Sequence, residues 1–156
     1  MFTWSTEAVA ESSATPREVW RLWSDPSTWN AWDPGVQRCT VQGPFRAGTR
    51  GTLRPAGGPA VAFVITGAVP ERAFTTVARL PLTALEFEHT LEPLAAGGVR
   101  IRHQVRMRGV LTPLLSRLLG ATLAAGLPHA VHALARMAEG GARESAGTSR
   151  GAGMAG

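Results

Sequence analysis

The stretch ATPREVWRLWSDPSTWNAWDPGV, residues 14–36, holds two helix starts in close succession, and its reading decides the fold. Thr15 stands where an N-cap belongs, Pro16 at the first helical position, and Glu18 where a capping box needs its carboxylate. A short helix is therefore predicted through Trp20 and Trp23. The pattern repeats with Asp25 as cap and Pro26 behind it, so a second short helix starts at 26 and ends before Pro34 and Gly35, both helix breakers. Before this stretch, residues 2–10 (FTWSTEAVA) place Phe2, Trp4, Thr6 and Ala8 on one face of a two-residue repeat, as a strand requires.

After it the period stays at two as far as residue 109. Strands are predicted at 36–42, 49–54, 60–69, 73–80, 84–92 and 98–108, separated by GPFRAG, PAGGP, VPER, LPLT and PLAAGG, which describes an antiparallel meander. The period then changes again. Thr112 caps, Pro113 follows, and leucines at 114, 115, 118, 119, 123 and 127 predict one long helix from Pro113 to Glu139, bent at Gly126 and Pro128. The helix has no charge between Arg117 and Arg136, but two histidines, a proline and many small residues favour a helix buried along one face over a membrane span. Gly120, Gly126 and the alanines at 121, 124 and 125 make it slim, which is expected to widen the space over the sheet. Residues 140–156 show no apolar period and are expected to form a mobile tail behind a single domain, residues 1–139.

Composition bounds the chemistry. A chain of 156 residues with 44% hydrophobic side chains can bury one core but hardly two, and 17% charged residues exclude a disordered chain. The single cysteine, Cys39, forms no internal disulfide or cysteine metal cluster, and the first residues lack the layout of a signal peptide, so a cytoplasmic protein is expected. There is no lysine, so all 16 basic side chains are arginines, and there is no tyrosine. A lysine Schiff base and a tyrosine general acid are excluded. A net charge of +5 invites nucleic acid or an anionic surface as partner. The arginines are scattered from Arg17 to Arg150, so neither nucleic-acid binding nor stable membrane insertion is expected.

One strand, two short helices, a six-stranded meander and a long closing helix follow the order of the helix-grip fold. With the Pro-capped helix, the Asp25-Pro26 pair and Trp29 and Trp32 ahead of the next strand, the sequence resembles the START-like (SRPBCC) superfamily, in particular its bacterial polyketide cyclase/dehydrase and lipid-transport branch. The resemblance spans about residues 2–139. It implies an α+β architecture, a curved seven-stranded antiparallel sheet gripping the long helix around a hydrophobic cavity. It also implies a hydrophobic small-molecule ligand, polyketide-like, terpenoid or lipid, with the protein a monomer or homodimer. Catalytic residues differ between branches of the superfamily, so none is assigned by analogy.

Candidate site residues come instead from two exceptions to strand alternation. In LEFEHTLE, residues 85–92, the apolar face reads Leu85, Phe87, His89, Leu91; in VRIRHQVRMR, residues 99–108, it reads Val99, Ile101, His103, Val105, Met107. Each histidine falls where an ionisable ring is costly unless satisfied. Matching the apolar faces of this hairpin pairs Leu91 with Ile101, Phe87 with Val105 and His89 with His103, and sets Glu92 against Arg100 and Glu86 against Arg106 outside. Two readings are open. Both histidines are neutral and satisfied within the core, or they line the cavity, where two imidazoles in contact cannot easily both be charged and one can act as a base or acceptor for enolisation, aldol closure or dehydration.

On the second reading His103 and His89 are the acid/base pair, and Trp29, Trp32, Phe87, Leu91, Ile101, Val105, Met107 and His129 bind the ligand. Trp20 and Trp23 are expected in the core, and Asp33 as a turn residue before Pro34. Cys39 is a conceivable third ligand beside the two histidines, but no spacing motif supports a metal, and no cofactor is expected. A catalyst of cyclisation or dehydration, a non-catalytic carrier or sensor, and an interaction protein using the basic outer surface remain the three function classes.

Overall fold

The computed structural model describes the backbone of residues 1–151 and side chains as far as Gly141; residues 152–156 lie outside the described residues. Strand β1 (Phe2–Ser12) leads to α1 (Pro16–Trp23), a 3-10 turn (Pro26–Thr28) and α2 (Trp29–Trp32). Strands β2 (Val36–Val41), β3 (Arg50–Pro55), β4 (Val61–Val69), β5 (Ala73–Leu80), β6 (Thr83–Pro93) and β7 (Val99–Gly109) precede α3 (Thr112–Gly151). The seven strands form one antiparallel sheet in the order β1-β7-β6-β5-β4-β3-β2, the curved sheet of the helix-grip fold.

Local chemistry sets the helix ends. The Thr15 hydroxyl accepts from Glu18 N at 3.3 Å while the Glu18 carboxylate accepts from Thr15 N at 2.8 Å, a complete capping box. Val19 and Trp23, four apart, form the buried face of α1. Asp25 accepts from Ser27 N at 3.1 Å and starts the 3-10 turn that delivers Trp29 and Trp32.

The meander makes β7 a central strand, paired with β6 on one side and β1 on the other. Trp4, Thr6, Ala8, Ala10 and Ser12 therefore oppose Met107, Val105, His103, Ile101 and Val99 on the inner face. Helix α3 lies over this face and buries Leu127, Ala130, Val131, Leu134, Ala135 and Ala138. Its distal half is fastened to the end of β1: the buried Ser12 hydroxyl donates to the Ala135 carbonyl at 2.9 Å and accepts from Ala14 N at 3.2 Å. Ser13 N donates to the Glu139 carboxylate at 3.0 Å. Gly98 makes this junction possible. Its φ is +84°, and a Cβ there would strike the Ser12 carbonyl.

Three expectations for α3 are corrected. The helix does not end at Glu139 but continues to Gly151. No proline follows Pro128 to stop the backbone. The small residues do not widen the interior: Ala121, Ala124 and Ala125 face solvent, and at Gly120 the Trp4 ring lies 3.1 Å from where a Cβ would stand, so there slimness serves close approach. His129 is exposed on the side of α3 away from the sheet, because the buried stripe of Leu127, Val131, Leu134 and Ala138 fixes the helix phase.

Candidate functional site

Register places the two histidines together. His89 pairs directly with His103 across β6 and β7, with Leu91 opposite Ile101 and Phe87 opposite Val105. The imidazole centroids are 4.6 Å apart at an interplanar angle of 71°, an edge-to-face contact. His89 is 9% exposed and His103 5%.

Aromatic rings wall the pair. Phe74, paired with His89 across β5 and β6, stacks on it with centroids 3.9 Å apart and planes within 6°. Trp23 meets His89 at 5.7 Å and His103 at 5.9 Å, and Trp32 lies 5.8 Å from His103. Behind them Trp29 stacks on Phe74 and Phe63 at 5.7 and 6.4 Å, and its indole N–H donates to the Trp23 carbonyl at 3.0 Å. Phe45, from the β2–β3 connection, completes the layer against Trp20, Trp29 and Phe74.

The space that the resemblance assigns to a ligand is thus filled by the protein's own rings. Trp29 and Trp32, expected to bind the ligand, are 6% and 3% exposed and plug the interior. Ile101, Val105 and Met107 are fully buried on the inner face and Leu91 nearly so, while Phe87 is half-buried. A hollow of about 430 Å³ outside the β2–β3 hairpin is lined by residues from Gln42 to Arg50. Another of about 290 Å³ lies between α1 and the distal part of α3. Neither borders the histidines.

Electrostatics keep the pair neutral. Burial pushes the His103 pKa down to about 3. Burial lowers His89 well below its ordinary value, the neighbouring His103 lowers it further, and the Phe74 backbone opposes the shift. Three ring atoms in this cluster have no hydrogen-bond partner: Nδ1 of His89, Nε2 of His103 and Nε1 of Trp23. Buried polar atoms in native proteins are nearly always satisfied, so three on touching rings without a partner from the protein set this cluster apart from the rest of the core. A neutral imidazole presents one N–H and one lone pair, suited to a hydroxyl or carbonyl.

Asp33 plays its turn role, accepting from Gly35 N at 2.8 Å; burial raises its pKa and that bond opposes the rise. Cys39 is buried on β2 with its thiol pushed up to about 12. Among the described residues, no three His, Cys, Asp or Glu side chains gather as metal ligands would. His132, like His129, is exposed.

Trp23 and Phe74 touch the histidines yet were not among the expected site residues. For Phe74 a signal existed: the register argument that pairs the histidines, carried one hairpin back through the tight turn at 81–82, puts Phe74 opposite His89. Trp23 was expected as core, and helical spacing alone does not tell which strand residues it meets.

Strand order and gripping helix define a helix-grip protein, and the family match places it in the START-like superfamily. Within it, the chain belongs to the polyketide cyclase / dehydrase and lipid transport family, whose model matches residues 3–145. No curated protein sequence matches it significantly. Among solved structures it is similar to the di-domain ARO/CYC StfQ from the steffimycin biosynthetic pathway, with a TM-score of 0.69 and 16% identity over 93% of this chain and 52% of that one. It is also similar to norcoclaurine synthase from Thalictrum flavum in complex with dopamine and hydroxybenzaldehyde, with a TM-score of 0.66 and 13% identity over 92% of this chain and 88% of that one. A Staphylococcus aureus protein of unknown function gives a TM-score of 0.70 at 9% identity, over 91% and 97% of the two chains. At these identities the likeness is one of fold.

Proposed function

We propose that the protein binds a hydrophobic small molecule, polyketide-like, terpenoid or lipid, between the sheet and α3, with His89 and His103 holding its polar group. The observation that carries this reading is the facing pair of neutral imidazoles with unpartnered Nδ1 and Nε2 atoms inside an otherwise aromatic interior. Family membership supports the class of ligand. The ligand takes the place of rings that now fill the interior. Trp29 and Trp32 both sit on α2, a single turn of helix outside the sheet, and are the side chains easiest to displace without breaking the sheet.

The same geometry bears on catalysis. A general base works best with a pKa near the operating pH, and a His103 at about 3 is a hydrogen-bond acceptor rather than an effective base. Displacing Trp32 removes part of the desolvation that lowers this pKa. Acid/base cyclisation or dehydration by the pair is therefore tied to opening of the plug, and the family's description as cyclase and dehydrase supports that second reading.

The test is native mass spectrometry of the protein purified from its own host, with extraction and identification of what it carries. The expected result is a hydrophobic molecule with a hydroxyl or carbonyl group, lost or weakened in His103→Gln and His89→Gln. A protein that carries nothing, and whose tryptophan fluorescence is unmoved by polyketide-like, terpenoid and lipid probes, overturns the reading. Given a bound substrate, His103→Gln that abolishes turnover while binding persists supports a catalyst; weakened binding alone supports a carrier.

A further inference from the structure

The outer surface of α3 differs between its two halves. In the distal half the side chains turned to solvent include His129, His132 and Arg136, as expected for a helix on a water-facing domain. In the proximal half they include Leu114, Leu118 and Leu119 beside Arg117, with Ala121, Thr122 and Ala125 beyond. Within Thr112–Gly141 an 18-residue window has a mean hydropathy of 1.4, yet only 33% of that window is buried.

The exposed leucines continue onto the adjoining end of the sheet. Val110 N donates to the Leu82 carbonyl at 3.0 Å, joining the end of β7 to the β5–β6 turn, and Gly109 faces Phe2 across the β1–β7 ladder. Leu82 is 70% exposed, Val110 61% and Phe2 55%, beside Leu118 at 67% and Leu114 at 54%. Leu82 holds the tip of its turn at a φ of +51°, a conformation costly for a branched apolar residue that gains no burial from it. This is one apolar end of the molecule rather than scattered exposure.

Its charge has one sign. Residues 1–6, 78–85 and 107–122 contain no Asp or Glu, while Arg79, Arg108 and Arg117 stand exposed among them. Among the described residues the ion pairs lie on Arg100, Arg102 and Arg106 instead. Apolar side chains that project beyond the fold inside a collar of unpaired arginines match the boundary between acyl chains and anionic headgroups. A second copy of this chain is a poorer occupant, since a two-fold contact brings the arginines together with no carboxylate to meet them.

We propose that the end of the molecule formed by Phe2, Leu82, Val110, Leu114 and Leu118 docks peripherally on an anionic lipid bilayer, with Arg79, Arg108 and Arg117 against the headgroups. The full chain is sedimented with vesicles of phosphatidylcholine alone and of phosphatidylcholine mixed with phosphatidylglycerol. Binding is expected only to the anionic vesicles and weakens as salt rises. The Leu114→Glu/Leu118→Glu variant loses roughly tenfold or more of the partitioning, and Arg117→Gln loses about fivefold. Arg46→Gln, an exposed arginine in the loop at the opposite end of the strands, leaves binding near the starting level. All four positions are exposed, and circular dichroism verifies that each variant is folded. No binding to anionic vesicles overturns the proposal. So do equal losses in the Arg46 variant, or a stable dimer in solution dispersed by the leucine substitutions.

Discussion

The β6–β7 hairpin carries polar side chains on both faces and treats them in opposite ways. Outside, Arg100 meets Glu11 and Glu92, Arg102 meets Glu7, and Arg106 meets Glu86, the first two groups exposed to water and the last half-buried. Inside, one residue along each strand, His89 and His103 stand among Phe74, Trp23 and Trp32 with no charge and with ring nitrogens unpartnered. Water screens the outer charges and makes each pair nearly neutral for stability. The inner histidines bear the full cost of burial, with no charge pair to offset it.

The most severe way to break the comparison is to remove the wall of the inner face. Trp23→Ala deletes a fully buried indole that touches both imidazoles and is expected to cost about 3–5 kcal/mol in urea unfolding. It should also admit water to the pair and raise both histidine pKa values, measurable by NMR titration. A His103 that still titrates near 3 in that variant would mean burial by Trp23 is not the cause.

Acid sharpens the contrast next. Both inner histidines have folded-state pKa values below the unfolded value near 6.5, so the unfolded chain binds more protons in acid. Stability is unaffected by them above pH 6.5 and falls as pH drops below it, by about 1.4 kcal/mol per pH unit for each histidine, until the folded pKa is reached. Chemical denaturation between pH 7 and 4.5 should show this slope, and His89→Phe/His103→Leu should flatten it. An equally steep slope in that double variant would assign the acid sensitivity to other groups.

Smaller effects are expected where a single neutral bond or an exposed pair is lost. Ser12→Ala removes the hydroxyl that joins Ala14 and Ala135 and should cost about 1–2 kcal/mol, with faster hydrogen exchange in the distal half of α3. Glu7→Gln on the outer face should cost less than about 1 kcal/mol, shrinking further in high salt. A loss as large as that of Ser12→Ala would show that the outer pairs act as a network.

Much of this is legible in the sequence. The capping box at Thr15 and Glu18, the second start at Asp25 and the strand-and-turn order lie within a few residues of the observed elements, because each depends on a short window of backbone chemistry. The inner histidine pair was legible for a related reason. A hairpin is a local structure, and side-chain parity leaves few registers that keep both apolar faces together. What escaped lies further apart in the chain. Phe74 comes from the next hairpin, Trp23 from a helix, and the fastening of Ser12 to Ala135 joins positions 123 residues apart.

The sequence by itself determined the helix-grip order, the pairing of β6 with β7 and the meeting of His89 with His103, since periodicity, caps and parity are properties of neighbouring residues. Only the tertiary structure decided that Trp29 and Trp32 fill the interior, that His129 turns outward and that leucines crowd the surface of α3 near its start. Those outcomes depend on helix phase and on which side chains compete for one enclosed volume. Such competition is settled by close packing across the whole molecule, and no local window contains it.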